Sequence, residues 1–242
     1  NQSICYFDLN SCEIVKDRVI KKNDGNMSTR FSSGFADCYW SALYKTNKYL
    51  KFDLKQRKIQ LYETSSEIHA AAICFDGKYL WISSADNSEI YKCTETGEVL
   101  ERFDGKGEAG GETFARLYTT DQYMIALPRF GDFIFFIDKR TDNVKRFYLE
   151  DIDFNLKINA NKASKFLKCL KYKNKLLFFG FGIDAFIIID IDGMKIQNLP
   201  MIFSKEDIER INYANITRNN LTVENKYLNL ENLKKAVLYE IP

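Results

Sequence analysis

Apolar residues along this chain come in short runs, each closed by a polar turn, and the runs recur at regular spacing. LKF at 50–52, FIFFI at 133–137 and AFIII at 185–189 each end on an aspartate, Asp53, Asp138 or Asp190. A polar turn follows (LKQRK, KRTDN, IDGMK), then a second short run (IQLY, VKRFYL, IQNL). Runs of this length bounded by turn residues predict strands, and each pair predicts a hairpin with the aspartate near its mouth. Six residues before the aspartate stands an Asn, Asp or Gln, and six after it an aliphatic residue. The copies are Gln2…Asp8…Ile14, Asn47…Asp53…Ile59, Asn87…Cys93…Val99, Asp132…Asp138…Val144 and Asp184…Asp190…Ile196. Cys93 alone breaks the aspartate column.

The register extends upstream. Sixteen residues before that column stand Asp37, Gly77, Gln122 and Asn174, each among turn formers such as Asp76-Gly77 and Asp121-Gln122. Strand-like runs lie after each turn (YWSALY, KYLWIS, YMIAL, KLLFFG) and before it (HAAAICF, FARLYT, KFLKCLKY). Four strands per unit, with steps of 45, 40, 45 and 52 residues along Asp8, Asp53, Cys93, Asp138 and Asp190, are the signature of propeller blades. The expected fold is all-β: a single β-propeller domain over 1–242, with four-stranded antiparallel blades, about five or six of them, complete or not. A half-blade is expected at 1–20, blades at about 31–64, 66–103, 112–149 and 162–200, and a closing segment at 201–242. In that segment NLENLKKAVLY reads as a short C-terminal helix capped by Asn229, with a YLNL/AVLYEI hairpin as the alternative. A ring of about five blades closes if the N-terminal half-blade pairs with strands from the tail; otherwise the chain is part of a larger propeller.

The repeated side chains read as fastenings. Asn, Asp and Gln tolerate left-handed backbone and bond their own backbone two residues on, and an aspartate beside a turn accepts its N–H groups. Chemistry seldom needs the same acid in every unit. The turn TETGE at 94–98 carries Gly97 where the backbone calls for a positive φ.

Residues 76–114 carry Asp76-Gly77, Trp81-Ile82, Asp86-Asn87, Ile90, Gly97 and Phe103, then Gly105, Gly107, Gly110, Gly111 and Phe114. This unit resembles one repeat of the NHL-type six-bladed propellers, in which a D-G-x-h-h-V-x-D-x-x-N-x-x-I core leads into a Gly-punctuated loop ending in Phe. The other units lack that loop. The resemblance implies a module that binds proteins, RNA or glycans, with a minority of such propellers being enzymes such as lyases.

Composition narrows the partners. A net charge of +2 and a pI near 8.1 do not provide the basic stripe of a nucleic-acid surface, and the longest apolar runs are too short to span a bilayer. No nucleic acid and no membrane is expected, and the bacterial-like abundance of Asn, Lys and Ile reads as genomic bias. Six cysteines without a C-x-x-C pair argue against a cysteine zinc site; no metal and no cofactor are expected. Several lie in apolar runs as small buried hydrophobes, which favours a reducing, cytoplasmic setting. The chain lacks a signal-like start but opens on Asn rather than Met, so a mature secreted fragment is the alternative. DGKGEAGGE at 104–112 lacks the Lys of a P-loop, and Asp190-Ile191-Asp192-Gly193 lacks the remaining ligands of a calcium loop. Both read as turns or connections.

His69 is the lone histidine, so a Ser-His-Asp triad or His metal cluster must use it or be absent. It opens a first strand, EIHAAAIC, whose Ala70, Ala71 and Ala72 suit a crowded axis. The opening residues of first strands give the ligand-binding candidates at the channel mouth: Glu67, His69, Arg116, Lys165 and Arg210. Trp40 and Trp81, on equivalent second strands, read as packing between blades. Two functions follow. The first is a non-catalytic binding or scaffolding propeller with a face for a protein or peptide partner. The second is a lyase- or hydrolase-like enzyme using Glu67, His69 and Arg116 for acid–base and anion-binding work.

Overall fold

A computed structural model describes residues 2–8, 13–20, 29–56, 58–105, 114–128, 133–148, 166–180, 185–191, 195–200 and 204–206. The chain divides into two compact units, Asn1–Pro200 and Met201–Pro242. In the second, the described residues are 204–206, with a helical turn at 205–206. The helix and closing strands expected from the tail lie outside the described residues. Among the described residues no helix is long and apolar enough to cross a membrane.

The first unit is β-sheet. β1 (Gln2–Asp8) and β2 (Glu13–Ile20) form an antiparallel pair. The first full blade is β3 (Thr29–Phe35), β4 (Cys38–Leu43), β5 (Lys48–Asp53) and β6 (Lys58–Glu63). The second is β7 (Ala70–Phe75), β8 (Leu80–Ser84), β9 (Glu89–Cys93) and β10 (Val99–Asp104). The third is β11 (Phe114–Thr119), β12 (Tyr123–Pro128), β13 (Phe133–Asp138) and β14 (Val144–Tyr148). The fourth is β15 (Phe166–Tyr172), β16 (Lys175–Gly180), β17 (Ala185–Asp190) and β18 (Lys195–Pro200). In every blade sequential strands are antiparallel neighbours, and β3, β7 and β11 touch one another. Four-stranded antiparallel sheets with their first strands brought together are the blades of a β-propeller.

A separate apolar core fills each gap between blades. Trp40, Ala42 and Tyr49 of the first blade meet Ile73, Leu80, Ile82 and Tyr91 of the second. Trp81, Ile90 and Phe103 of the second meet Phe114, Phe133, Phe135 and Ile137 of the third. Ile125, Ile134 and Phe136 of the third meet Leu176, Phe178, Ile187 and Ile189 of the fourth. A sheet covered on both faces favours continuous apolar runs, as in β7, the first three residues of β8 and the first five of β13, all buried. The outer strands β6 and β14 have solvent beside them and mix polar with apolar residues. At the axis Ala70, Ala71 and Ala72 are buried. Trp40 stacks on Phe75 with ring centroids 4.4 Å apart, so both tryptophans are packing residues, as their positions suggested.

The repeated columns tie turns. Asp53 accepts the N–H of Gln56 at 2.8 Å, and Asp138 accepts those of Arg140 and Thr141 at 2.9 and 3.1 Å. The residue after the aspartate then donates its N–H to the upstream column: Leu54 to Asp37, Lys139 to Gln122 and Ile191 to Asn174, at 2.8–2.9 Å. This bond joins the turn after the first strand to the turn after the third. In the second blade Cys93 offers no acceptor, and Thr94 takes over: its hydroxyl accepts the N–H of Glu98 at 3.1 Å and its N–H bonds the Glu98 carbonyl. Asn87 bonds the N–H of Glu89 two residues on. Asn47 instead donates to the Thr64 carbonyl at 3.1 Å, while the Thr46 hydroxyl accepts the N–H of Lys48. Gly97 has φ +95°, as its turn required.

Candidate functional site

Of the sequence candidates, Glu67 and His69 stand just before β7, at its opening end. Glu67 pairs with Arg102, and His69 Nδ1 with Asp86. Both pairs are about half exposed. They are separate pairs: Glu67 points to the second blade's outer strand, His69 to the turn after β8. Arg116 is half-buried within β11. Lys165 and Arg210 lie outside the described residues.

A cavity of about 700 Å³ opens at the other end of the same strands. The first blade contributes Ser32, Ser33, Gly34 and Phe35; the second, Cys74, Phe75 and Asp76; the third, Leu117 through Asp121 and Lys139. Glu67, His69 and Arg116 do not line it. From His69 to Cys74 is five residues of extended chain, about 17 Å. The cavity is therefore set by where β3, β7 and β11 end and by the turns that follow.

Asp76 is the most constrained of its side chains. It accepts N–H groups from Lys78 at 2.9 Å and Tyr79 at 2.7 Å, and the indole N–H of Trp81 at 2.9 Å. Lys139 Nζ stands 3.4 Å from it, with the two side chains 15% and 3% exposed. Burial by itself would raise the Asp76 pKa. The donors from Tyr79, Trp81 and Lys78 together with the Lys139 charge outweigh it and hold the carboxyl below its ordinary value. Its acceptor sites are thus occupied within the wall, and it fixes Lys139 in place.

The thiol of Cys74 lies 3.2 Å from the Ser33 hydroxyl. Burial pushes its pKa up, with the Ser33 and Thr119 hydroxyls pulling the other way, so it stays a neutral thiol and not a thiolate nucleophile. Thr120 accepts the N–H of Tyr123 at 2.9 Å and closes the turn that presents Asp121, which is exposed. Phe35, 43% exposed, meets Phe75 edge to face at 5.7 Å. Gly77 at φ +94° lets the turn after β7 pass beneath it, because a Cβ there would sit 2.7 Å from the Phe35 ring. The result is a hydroxyl-rich chamber with one locked ion pair, one exposed carboxylate and an aromatic lip. Among the described residues no group of His, Cys, Asp and Glu is placed to hold a metal, and the cavity has no histidine.

Asp76-Gly77 and Asp121-Gln122 were readable as turns, and Lys139 as the residue after an aspartate column. The signal that could have found the site was the upstream column itself, since it gathers every turn after a first strand at one end of the axis.

Blades and axial cavity together define the class: a β-propeller with a polar chamber where its first strands end. Solved structures share the propeller fold. A streptogramin B lyase matches with TM-score 0.59 and 15% identity over 85% of this chain and 64% of that one. The virginiamycin B lyase from Staphylococcus aureus matches with TM-score 0.59 and 14% identity over 84% and 64%. The hydrazine synthase of Kuenenia stuttgartiensis matches with TM-score 0.55 and 10% identity over 82% and 60%. The chain thus spans less than two thirds of the length of these proteins, and the likeness is one of fold. No family model matches the sequence, and no curated protein matches it significantly.

Proposed function

We propose that this propeller is a non-catalytic binding module that holds a protein or peptide partner over the end of the axis where β3, β7 and β11 finish. The observation that carries this reading is the cavity itself: about 700 Å³, with side chains from three blades, a size within the usual range for ligand sites. Its chemistry is that of a binding site. The buried carboxylate already has its donors, the thiol is held neutral, and the histidine stands at the far end of β7. Among the described residues Glu67 and His69 are each taken up by a different partner, which favours the binding reading over the lyase- or hydrolase-like one.

The NHL-type pattern of residues 76–114 belongs to this reading. Asp76 caps the turn, Gly77 supplies its positive φ and Trp81 anchors it, so the start of this pattern holds Asp76 in the wall of the cavity. Thiols buried at Cys74 and Cys93 fit the cytoplasmic setting proposed with it.

The test is selection of displayed peptides on the immobilised protein, repeated on Ser32→Trp, in which an exposed position in the wall gains a bulky indole. Peptides that bind the wild type and are lost on the variant support the reading. Peptides that bind both equally would overturn it.

A further inference from the structure

Resting on that binding reading, we infer that the cavity takes a basic side chain of the partner, an arginine or lysine inserted along the axis between Phe35 and Asp121. Charge comes first. Among the described residues the wall holds two carboxylates, Asp76 and Asp121, against one ammonium, Lys139, and that ammonium is engaged by Asp76. An anionic group entering would meet a net negative wall and find its one cation already paired, which is the like-charge arrangement that interfaces reject. A cation meets an exposed carboxylate with unoccupied acceptor capacity on its solvent side.

Hydrogen bonding agrees. Ser32, Ser33, Thr119 and Thr120 place hydroxyl oxygens around the chamber, and an arginine brings five N–H donors and no acceptor. The apolar stem of such a side chain needs cover as well. Phe35, with 43% of its surface exposed at the lip, and half-buried Tyr118 provide it.

The protein already holds its own cations this way. Lys51 pairs with Glu95 while lying 5.3 Å from the Trp40 ring. Lys92 pairs with Asp142 at 2.6 Å while lying 4.8 Å from the Tyr79 ring and 5.6 Å from that of Trp81. In both, a carboxylate and an aromatic face from the same neighbourhood share one lysine. Asp121 and Phe35 offer an incoming side chain the same two partners.

The test uses the whole chain and four blocked tripeptides, Ac-Ala-X-Ala-NH2, in which X is arginine, lysine, glutamate or citrulline. Citrulline keeps the shape of arginine and loses the charge. Binding is followed by the NMR shift of the Trp81 indole N–H, whose acceptor Asp76 forms part of the wall. The arginine and lysine peptides are expected to bind at least about tenfold more tightly than the other two, the value of one charged hydrogen bond. Asp121→Asn, at an exposed turn position that leaves the core intact, is expected to remove about that factor. Equal binding of the citrulline or glutamate peptide, or an unchanged affinity in Asp121→Asn, overturns the inference while the binding module stands. If none of the peptides shifts the signal, the inference also falls. If the displayed peptides in addition fail to distinguish Ser32→Trp from wild type, the binding reading falls with it.

Discussion

Replacing Asp76 by alanine removes one acceptor from four donors at once, and burial decides how much each loss costs. Trp81 is fully buried, and among the described residues its indole N–H has Asp76 as its acceptor. Leaving such a donor unsatisfied costs about 1–3 kcal/mol. Removing one partner of a fully buried ion pair costs about 3–5 kcal/mol. Lys139 keeps 15% side-chain exposure and turns partly to solvent, so about 1–2 kcal/mol of that applies. The N–H groups of Lys78 and Tyr79 lie in a surface turn and recover water at little cost. The expected loss is about 2–5 kcal/mol, a large share of the roughly 5–15 kcal/mol that holds an ordinary domain together. Urea unfolding followed by tryptophan fluorescence should show the midpoint falling by about 1 M or more. A double-mutant cycle of Asp76→Asn with Lys139→Met should give a coupling above about 0.5 kcal/mol. A loss under about 1 kcal/mol for Asp76→Ala, or strict additivity in the cycle, would refute the reasoning. Acid adds a second check. The folded state holds the Asp76 carboxyl below its ordinary value, so the unfolded chain takes up the proton first. The stabilisation is complete above the unfolded value of about 3.9 and is lost as pH falls through the lower folded one. The advantage of wild type over Asp76→Asn should therefore shrink below about pH 4.

Gly97→Ala places a Cβ 2.8 Å from the Glu63 carbonyl oxygen at φ +95°. Left-handed backbone costs a residue with a side chain about 1–2 kcal/mol, offset by about 0.4–1 kcal/mol from the stiffer unfolded chain. With the backbone clash added, a thermal melt should show a net loss of about 1–3 kcal/mol, and a neutral result would contradict it. Native alkylation with iodoacetamide at pH 8 should reach half-buried Cys38 first and Cys74 and Cys93 only on unfolding, since burial pushes the Cys93 thiol to about 12. Mass spectrometry that finds Cys93 labelled early would count against that burial. His69→Asn breaks an exposed pair with Asp86 and should cost under about 1 kcal/mol while leaving peptide binding at the cavity unchanged, as read by chemical denaturation and the same NMR signal.

Much of the fold was legible because a strand leaves a local signature. An apolar run such as FIFFI in β13 is buried on both faces between neighbouring blades, and Asp53 and Asp138 mark the turns they cap within two or three residues of chain. The site was less legible. Reasoning from the lone histidine led to the opening ends of the strands, where Glu67 and His69 form separate surface pairs. Asp76, Asp121 and Lys139 each read as turn residues, and nothing local distinguishes a turn at the axis from a turn at the rim.

The four-stranded unit, its repetition and the turn chemistry, including the positive φ at Gly97, are written in the order of residues. All of these are patterns along the chain: each turn rests on residues a few positions apart, and the unit recurs in steps of 40–52 residues. It was packing between blades that decided which ends of the first strands enclose a chamber and that Asp76 of one blade pairs with Lys139 of the next. It also decided that Ser33 and Cys74, 41 residues apart, share a hydrogen bond. Those contacts arise where blades pack side by side around an axis, and the angle between blades is set by the summed volumes of side chains from two distant segments, which no single segment encodes.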